Sequence, residues 1–427
     1  MQKLFKKETL PGAPKPKPQK PHRFFTKIKV SVLLFLTLLF AFLVTVWFFA
    51  EEPLMSPINS LTSFSFLRSP SHDPENKKVI YGFLPYWNLK KTIIQPELTH
   101  LSYFGLTIGG DGSLLTSTDE GTEPGFNKLK SDDLLTLSNE TLGQGGEVEL
   151  VLSQFNGNDI TNFLASEKAQ DTLFASLDSV LLAYPFSGIN IDIELNGSAT
   201  PQMQTQFTEF MKKLRQHIDH TYTDITISVD MYASGIEGGQ IWDAEALAQE
   251  VDYIVVMAYD FHRRQSAQAG PVAPLFGGKD VWENDINTYL QKFLIVVPAE
   301  KILLGIPFYG YEWQTTSRDS RSHTFPDTGS TASYERVQEL LKKSEELKVE
   351  EGWNEDALSP YISYVEDNEI FVVYYENSRS ISYKLDYVNQ LDLGGVAIWA
   401  LGYEGSSREL WEVIHNKVSN PIATPSK

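Results

Sequence analysis

Apolar runs of strand length recur along the chain from residue 78 to residue 401. They fall at 78–87, 98–108, 148–155, 186–195, 225–231, 251–260, 301–309 and 394–401. Each is bounded by polar, Gly or Pro residues, and several are near-continuous in Val, Ile and Leu, as in strands buried on both faces. Helical periodicity fills several intervals, at 169–183, 202–220, 244–250 and 283–293, and a last helical stretch covers 407–417. Eight such strands, each covered by a helix, predict an α/β fold, a closed (β/α)8 TIM barrel.

One interval is too long for a connection. Residues 311–380 hold a helical stretch at 334–347 and alternating stretches at 361–365 and 369–376. Loops of this length carry structure of their own. The pattern predicts a small α+β insertion between strands seven and eight, standing at the carboxyl-terminal face of the barrel as one wall of a cleft.

The amino-terminal part has another pattern. Residues 30–50 form a run of 21 residues without a charge. As a helix it is about 31 Å long, enough to span a hydrocarbon core. Lys27 and Lys29 precede it, and Glu51 and Glu52 follow it. The excess of Lys and Arg on one side places residues 1–29 in the cytoplasm and the globular part outside. The run is long for a signal-peptide core and no Ala-x-Ala site follows it, so an uncleaved anchor is expected. The organisation predicted is a basic Pro/Lys-rich tail (1–29), a transmembrane signal anchor (30–50), a Ser/Pro-rich linker (51–77), a catalytic barrel (78–417) and a short tail (418–427). The expected location is the cell membrane, single-pass, with the barrel extracytoplasmic.

Charge changes the picture of partners. Residues 1–29 carry +8 within a chain of net charge −19, which leaves −27 for residues 30–427. An acidic globule argues against nucleic acid as a partner. Cys is absent, so neither a disulfide nor a thiolate metal site is available, and the His residues show no metal-ligand spacing. No metal and no organic cofactor are expected. The 8 Trp, 19 Tyr and 25 Phe suit both a core and the stacking of sugar rings on aromatic faces.

The chemistry concentrates in the run Phe186-Ser187-Gly188-Ile189-Asn190-Ile191-Asp192-Ile193-Glu194. Alternation sends Ile189, Ile191 and Ile193 to one face and Asn190, Asp192 and Glu194 to the other. Two carboxyls one pleat apart push one pKa up, and a carboxyl kept protonated near neutral pH is a general acid. The competing reading is an amphipathic edge strand with a solvated face. Other strand ends repeat the theme: Tyr86 and Trp87, Gln154 and Phe155, Met257-Ala258-Tyr259-Asp260, Phe308 and Tyr309, and Trp399. Barrel chemistry sits at carboxyl-terminal strand ends. Aromatic, carboxylate and amide groups gathered there suit a sugar site.

The 186–194 run resembles the fourth-strand signature of glycoside hydrolase family 18, the chitinase class, whose pattern is Asp-x-x-Asp-x-Asp-x-Glu. Met257–Asp260, the run Gly305-Ile306-Pro307-Phe308-Tyr309-Gly310 and the run Gly395-Val396-Ala397-Ile398-Trp399 resemble its sixth-, seventh- and eighth-strand motifs. The run Ala269-Gly270-Pro271-Val272-Ala273-Pro274 is similar to that of bacterial cell-wall and spore-cortex members. The resemblance covers about residues 78–417.

It implies that Glu194 is the catalytic acid and base. Asp192 then orients the substrate's acetamido group, whose oxygen attacks C1 in place of a second protein carboxylate, and Tyr259 positions that oxygen. Asn190, Met257, Asp260, Tyr309, Trp399 and Trp87 are the implied substrate-binding residues, with Trp399 flooring the sugar subsite. The implied substrate is a β-1,4-linked N-acetylglucosamine polysaccharide, of peptidoglycan type first and chitin type second. Ser187 stands where the pattern has Asp, so the proton-sharing network implied on this strand is thinner. The alternative is a membrane-tethered, chitinase-like lectin that binds glycan and does not cut it; such proteins usually lose the acid that Glu194 here retains.

Overall fold

The computed structural model describes residues 77–118, 121–278 and 281–419. The expected tail, anchor and linker, Lys77 excepted, lie outside the described residues. Among the described residues no helix is long and apolar enough to cross a membrane.

Eight parallel strands close into a barrel. In chain order they are Val79–Pro85, His100–Thr107, Glu147–Gln154, Gly188–Ile193, Thr226–Tyr232, Tyr253–Met257, Ile302–Pro307 and Gly395–Trp399, numbered one to eight below. Each pairs with its neighbour in sequence order. The ring shuts where Val79 lies opposite Gly395 and Tyr81 lies opposite His100.

Alternation sorts the side chains into two cores. Val79, Tyr81 and Phe83 gather with Val151, Val255, Leu303 and Ala397 inside the barrel. Ile80 and Leu84 join the larger core with Ile189, Ile191, Ile193 and helix residues such as Phe163, Phe207 and Phe210. The isoleucines of strand four therefore face the helices, and the polar face of that strand points inward. Burying such runs is the main favourable term in folding, about 25 cal/mol per Å² of apolar surface.

The helices start where caps allow. Ser166 accepts from the Ala169 amide to open Glu167–Ala183, and Thr200 caps Pro201–Thr221, which has Pro at its first position. Several expectations need correction. Strand one ends at Pro85, and Tyr86–Asn88 is a 3-10 turn, so no long helix follows it. The helices that went unread in the sequence include Asp132–Gly143 and Gly157–Leu164. Their polar first turns, capped by Ser131 and Asn156, mask the apolar periodicity. The helix expected at 283–293 starts instead at Ile286, because Asp285 caps it. The helix expected at 244–250 is a single turn, Ala244–Leu247. The helix expected at 407–417 is Glu409–Ile414 followed by a π turn, His415–Ser419, whose Val418 still packs in the core.

The insertion is a five-stranded antiparallel sheet in the order Ser330–Ser333, Tyr309–Thr315, Glu369–Tyr374, Ser359–Glu366, Glu350–Asn354. Helix Tyr334–Lys342 follows its edge strand. It starts at Tyr309, earlier than the expected residue 311, since strand seven stops at Pro307. Tyr309 therefore belongs to the insertion, which supplies part of the wall above the barrel.

Candidate active site

The carboxyl ends of the strands enclose a cavity of 440 Å³. Its wall includes Glu194, Asp192, Tyr259, Met257, Asp260, Tyr309, Trp399 and Trp87, eight of the nine residues expected from the sequence. Phe104, Phe155, Asp230, Tyr232 and Arg263 complete it. The aromatic side is built by ring contacts: Trp399 meets Phe104 edge-on at 5.0 Å and Phe83 at a tilt at 5.6 Å between ring centres, and Trp87 meets Phe104 edge-on at 5.9 Å. Trp87 and Phe155 are exposed at the rim. The Trp399–Ala400 peptide is cis.

Asn190 is the exception. It was expected to touch substrate, but it lies beneath the cavity, fully buried. Its side-chain nitrogen donates to Asp230 Oδ1 at 2.7 Å and to Ser228 Oγ at 2.9 Å. Its Oδ1 has no partner among the described residues, nor has Asp192 Oδ1 above it.

Asp230 and Tyr232 went unread in the sequence. They sit on strand five, whose inward positions Thr226, Ser228, Asp230 and Tyr232 alternate with Ile227, Val229 and Met231. That polar alternation was the available signal, and it is the same one that revealed strand four. Lower in the barrel a third carboxyl is buried. Glu149 accepts from Tyr81 at 2.5 Å and from Thr226 at 2.8 Å. Gly188 makes room for it: a Cβ there would lie 2.2 Å from Thr226 Oγ1 and 2.6 Å from the Glu149 carboxyl.

The electrostatics follow from this crowding. Burial, then the neighbouring Glu194 and Asp230, hold the Asp192 carboxyl well above the usual carboxylate range. Burial, with Glu194 and Glu149 adding to it, raises Asp230 as well. Burial also raises Glu194, and this is offset in part by hydrogen bonds from the Tyr232 hydroxyl and from Asp192 and by the nearby Arg263 charge. Asp192 thus holds a proton and donates it toward Glu194. Burial and the surrounding carboxyls keep the Tyr259 phenol protonated, a hydrogen-bond donor at the cavity wall.

Asp260 is held differently. Its backbone has φ of 62°, a left-handed conformation that Asp tolerates better than most residues. The Tyr309 hydroxyl donates to its Oδ1, as does the Tyr311 hydroxyl at 2.9 Å. Among the cavity's carboxyls, Asp192 and Asp230 are buried, Asp260 is tied down by two phenols, and Glu194 remains as the group best placed to exchange a proton with a ligand.

One cluster of metal-ligating type occurs among the described residues: His100, Glu147 and Glu149, with ligand atoms within 4.8 Å of one another. It lies at the opposite end of the strands. Its donors are engaged within the protein, Glu149 by Tyr81 and Thr226 and His100 Nδ1 by Thr99 at 2.8 Å.

A sequence profile of the glycosyl hydrolases family 18 matches residues 79–404, the whole ring of strands and the insertion. The chain belongs to glycosyl hydrolase family 18. Among its relatives, this family 18 chain is 25% identical over 265 residues to the "Uncharacterized glycosylase YvbX" of Bacillus subtilis, covering 61% of this chain and 70% of that protein. It is 24% identical over 321 residues to the cortical fragment-lytic enzyme of Bacillus anthracis, covering 72% of this chain and 66% of that enzyme. Its fold is similar to that of a group IV chitinase from Ostrinia furnacalis solved with allosamidin, with a TM-score of 0.69 at 19% identity, covering 80% of this chain and 98% of that one. It is also similar to the spore cortex-lytic enzyme SleL of Bacillus megaterium, with a TM-score of 0.63 at 20% identity, covering 80% of this chain and 75% of that one.

Proposed function

We propose that this family 18 glycosidase is a membrane-anchored enzyme that cleaves β-1,4-linked N-acetylglucosamine glycans, peptidoglycan first and chitin second. The observation that carries the reading is Glu194 at the wall of an aromatic cavity, hydrogen-bonded by Asp192 and Tyr232 and raised by burial. The similarity to a cortical fragment-lytic enzyme and to SleL favours the cell-wall polymer. The uncharged run at 30–50, with its basic flank, supports the anchor.

In this mechanism Glu194 protonates the leaving glycosidic oxygen. The substrate's 2-acetamido oxygen attacks C1, giving an oxazolinium-like intermediate and no glycosyl ester on the protein, an exception to the two-carboxylate scheme. Asp192, having passed its proton to Glu194, holds the acetamido N–H and offsets the positive charge, and Tyr259 donates to the acetamido oxygen. Glu194, now ionised, takes a proton from the incoming water. Configuration at C1 is retained. The state of the other carboxyls supports this assignment: Asp260 is engaged by Tyr309 and Tyr311, and Asp230 is 3% exposed.

The test is digestion of peptidoglycan and of chitin oligomers by the full chain in detergent, with product anomers followed by NMR. Cleavage with retention is expected on acetylated glycans, and none on deacetylated chitin or glucan. Glycan binding without cleavage would make the protein a lectin, and brisk glucan cleavage would show that the nucleophile belongs to the protein.

A further inference from the structure

Arg263 is fastened to its surroundings at three points and leaves its guanidinium fork unused. Its backbone N–H donates to Ser266 Oγ at 2.9 Å. Its carbonyl accepts from the indole of Trp313, a fully buried side chain, at 3.2 Å. Its Nε donates to the Asp260 carbonyl at 3.1 Å. The first two hold the backbone and the third orients the guanidinium, whose two terminal nitrogens have no partner among the described residues. The side chain is exposed. It borders the 440 Å³ cavity and also an adjoining cavity of 270 Å³ that continues the cleft toward His262, Trp282 and Asn284.

This is an unusual place for an unpaired arginine. Four carboxyls line the larger cavity, and Arg263 forms an ion pair with none of them. A guanidinium that served only to balance those charges would sit on one of them. A planar fork held by its Nε and open at both terminal nitrogens is instead shaped to take a carboxylate through two parallel hydrogen bonds. Residues 30–427 carry a net charge of −27, so an anionic polymer is repelled elsewhere and needs a fixed cation to enter the cleft. Neutral chitin has no group that requires one.

We propose that Arg263 is a carboxylate subsite, and that the glycan it takes bears the 3-O-lactyl carboxylate of muramic acid. The inference rests on the reading of the protein as a glycosidase of N-acetylated glycans and narrows its substrate to peptidoglycan strands. The lactyl group is an anion only after its amide to the stem peptide has been hydrolysed. The reaction that supplies this substrate is therefore amide hydrolysis, acting before the glycosidase.

The experiment measures binding, using the full chain carrying Glu194→Gln so that the glycan is not cut. The probes are peptide-free peptidoglycan strands and the same strands with their carboxylates converted to primary amides. The free acid is expected to bind roughly tenfold or more tightly than the amide, the range of a charge-assisted hydrogen-bonded pair. Adding Arg263→Gln should bring the ratio close to one, and Arg263→Lys, which keeps the charge and loses the fork, should keep part of it. Equal affinities for the two strands, a ratio that survives Arg263→Gln, or binding of neither strand overturns the proposal. If the ratio behaves as expected but the protein with Glu194 intact cuts no glycan, the subsite stands and the hydrolase reading falls.

Discussion

Asn190 donates its side-chain nitrogen to Asp230 Oδ1 at 2.7 Å, across the barrel interior from strand four to strand five. The bond joins the strand that carries Asp192 and Glu194 to a carboxyl in neither the expected motif nor the expected strand. The acidic network at and below the cavity is therefore spread over three strands, with Glu149 on strand three, Asp192 on strand four and Glu194 just past its end, and Asp230 on strand five. Asn190 keeps the strand-four position neutral where a further carboxylate would raise the repulsion. Ser187 stands where the family pattern has Asp, and its hydroxyl donates to the Val148 carbonyl at 3.4 Å.

Glu194→Gln should lower turnover on an acetylated glycan by roughly 10²–10⁴-fold, the range of one general acid. Glycan binding and the unfolding transition should be retained, since Glu194 is only partly buried. Asp192→Ala should lose nearly as much rate, because in the proposed mechanism it holds the nucleophilic acetamido group. Initial rates beside binding isotherms check both, and a Glu194→Gln protein with most of its turnover would remove the assignment.

Asp230→Asn should move the alkaline limb of the kcat/KM profile to lower pH. Asp230 faces Asp192 and Glu194 from strand four, Glu149 from strand three and Tyr259 from strand six. Its charge raises the Asp192 pKa, and it repels Glu194. Removing that charge makes ionisation of the cluster easier, so the protonated acid is lost earlier as pH rises. The Asn190 contact can persist to the new amide oxygen, so the limb should move with little loss of stability. An unmoved limb would show that Asp230 is a packing group.

Thermal stability should fall as pH rises from about 4.5 to about 7. Burial raises Glu149 from 4.5 to about 7, and Glu404 likewise. For a carboxyl whose pKa is raised by folding, the neutral form favours the native state. Stability is then full below the unfolded pKa, declines through the window and is level above the folded pKa. For Glu149 alone the shift corresponds to about 3 kcal/mol as an order of magnitude. Glu149→Gln should flatten that decline in Tm. A slope that does not change in this variant would place the titration elsewhere.

The proposed anchor predicts that the protein stays in the membrane fraction after high-salt washing and that protease added to intact cells removes the globular part. A mature amino terminus near residue 51 would mean cleavage and release. Recovery of the protein in the soluble cytoplasmic fraction would contradict the anchor altogether.

The parts legible in the sequence are those that depend on local period. Alternation along 186–194 separated the isoleucines from Asn190, Asp192 and Glu194, because a strand points successive side chains to opposite faces whatever surrounds it. Apolar runs of strand length located eight strands, although their ends shifted, as where strands one and seven stop at Pro85 and Pro307. What tertiary structure alone decided is which polar faces meet. Ser228, Asp230 and Tyr232 carry the same alternation as strand four, but a polar strand face reads equally well as solvated until the barrel closes on it. Closure joins Val79 to Gly395 across most of the chain and so turns separate polar faces into one interior. It sets Asn190 under the cavity and places Asp230 beside it. Tyr309 reaches the same wall from the insertion, and Arg263, one of two adjacent arginines in a loop, is fixed there by Asp260, Ser266 and Trp313. Apart from the bonds of Arg263 to Asp260 and Ser266, three residues away on either side, such contacts join residues far apart in the chain, and no local pattern encodes them.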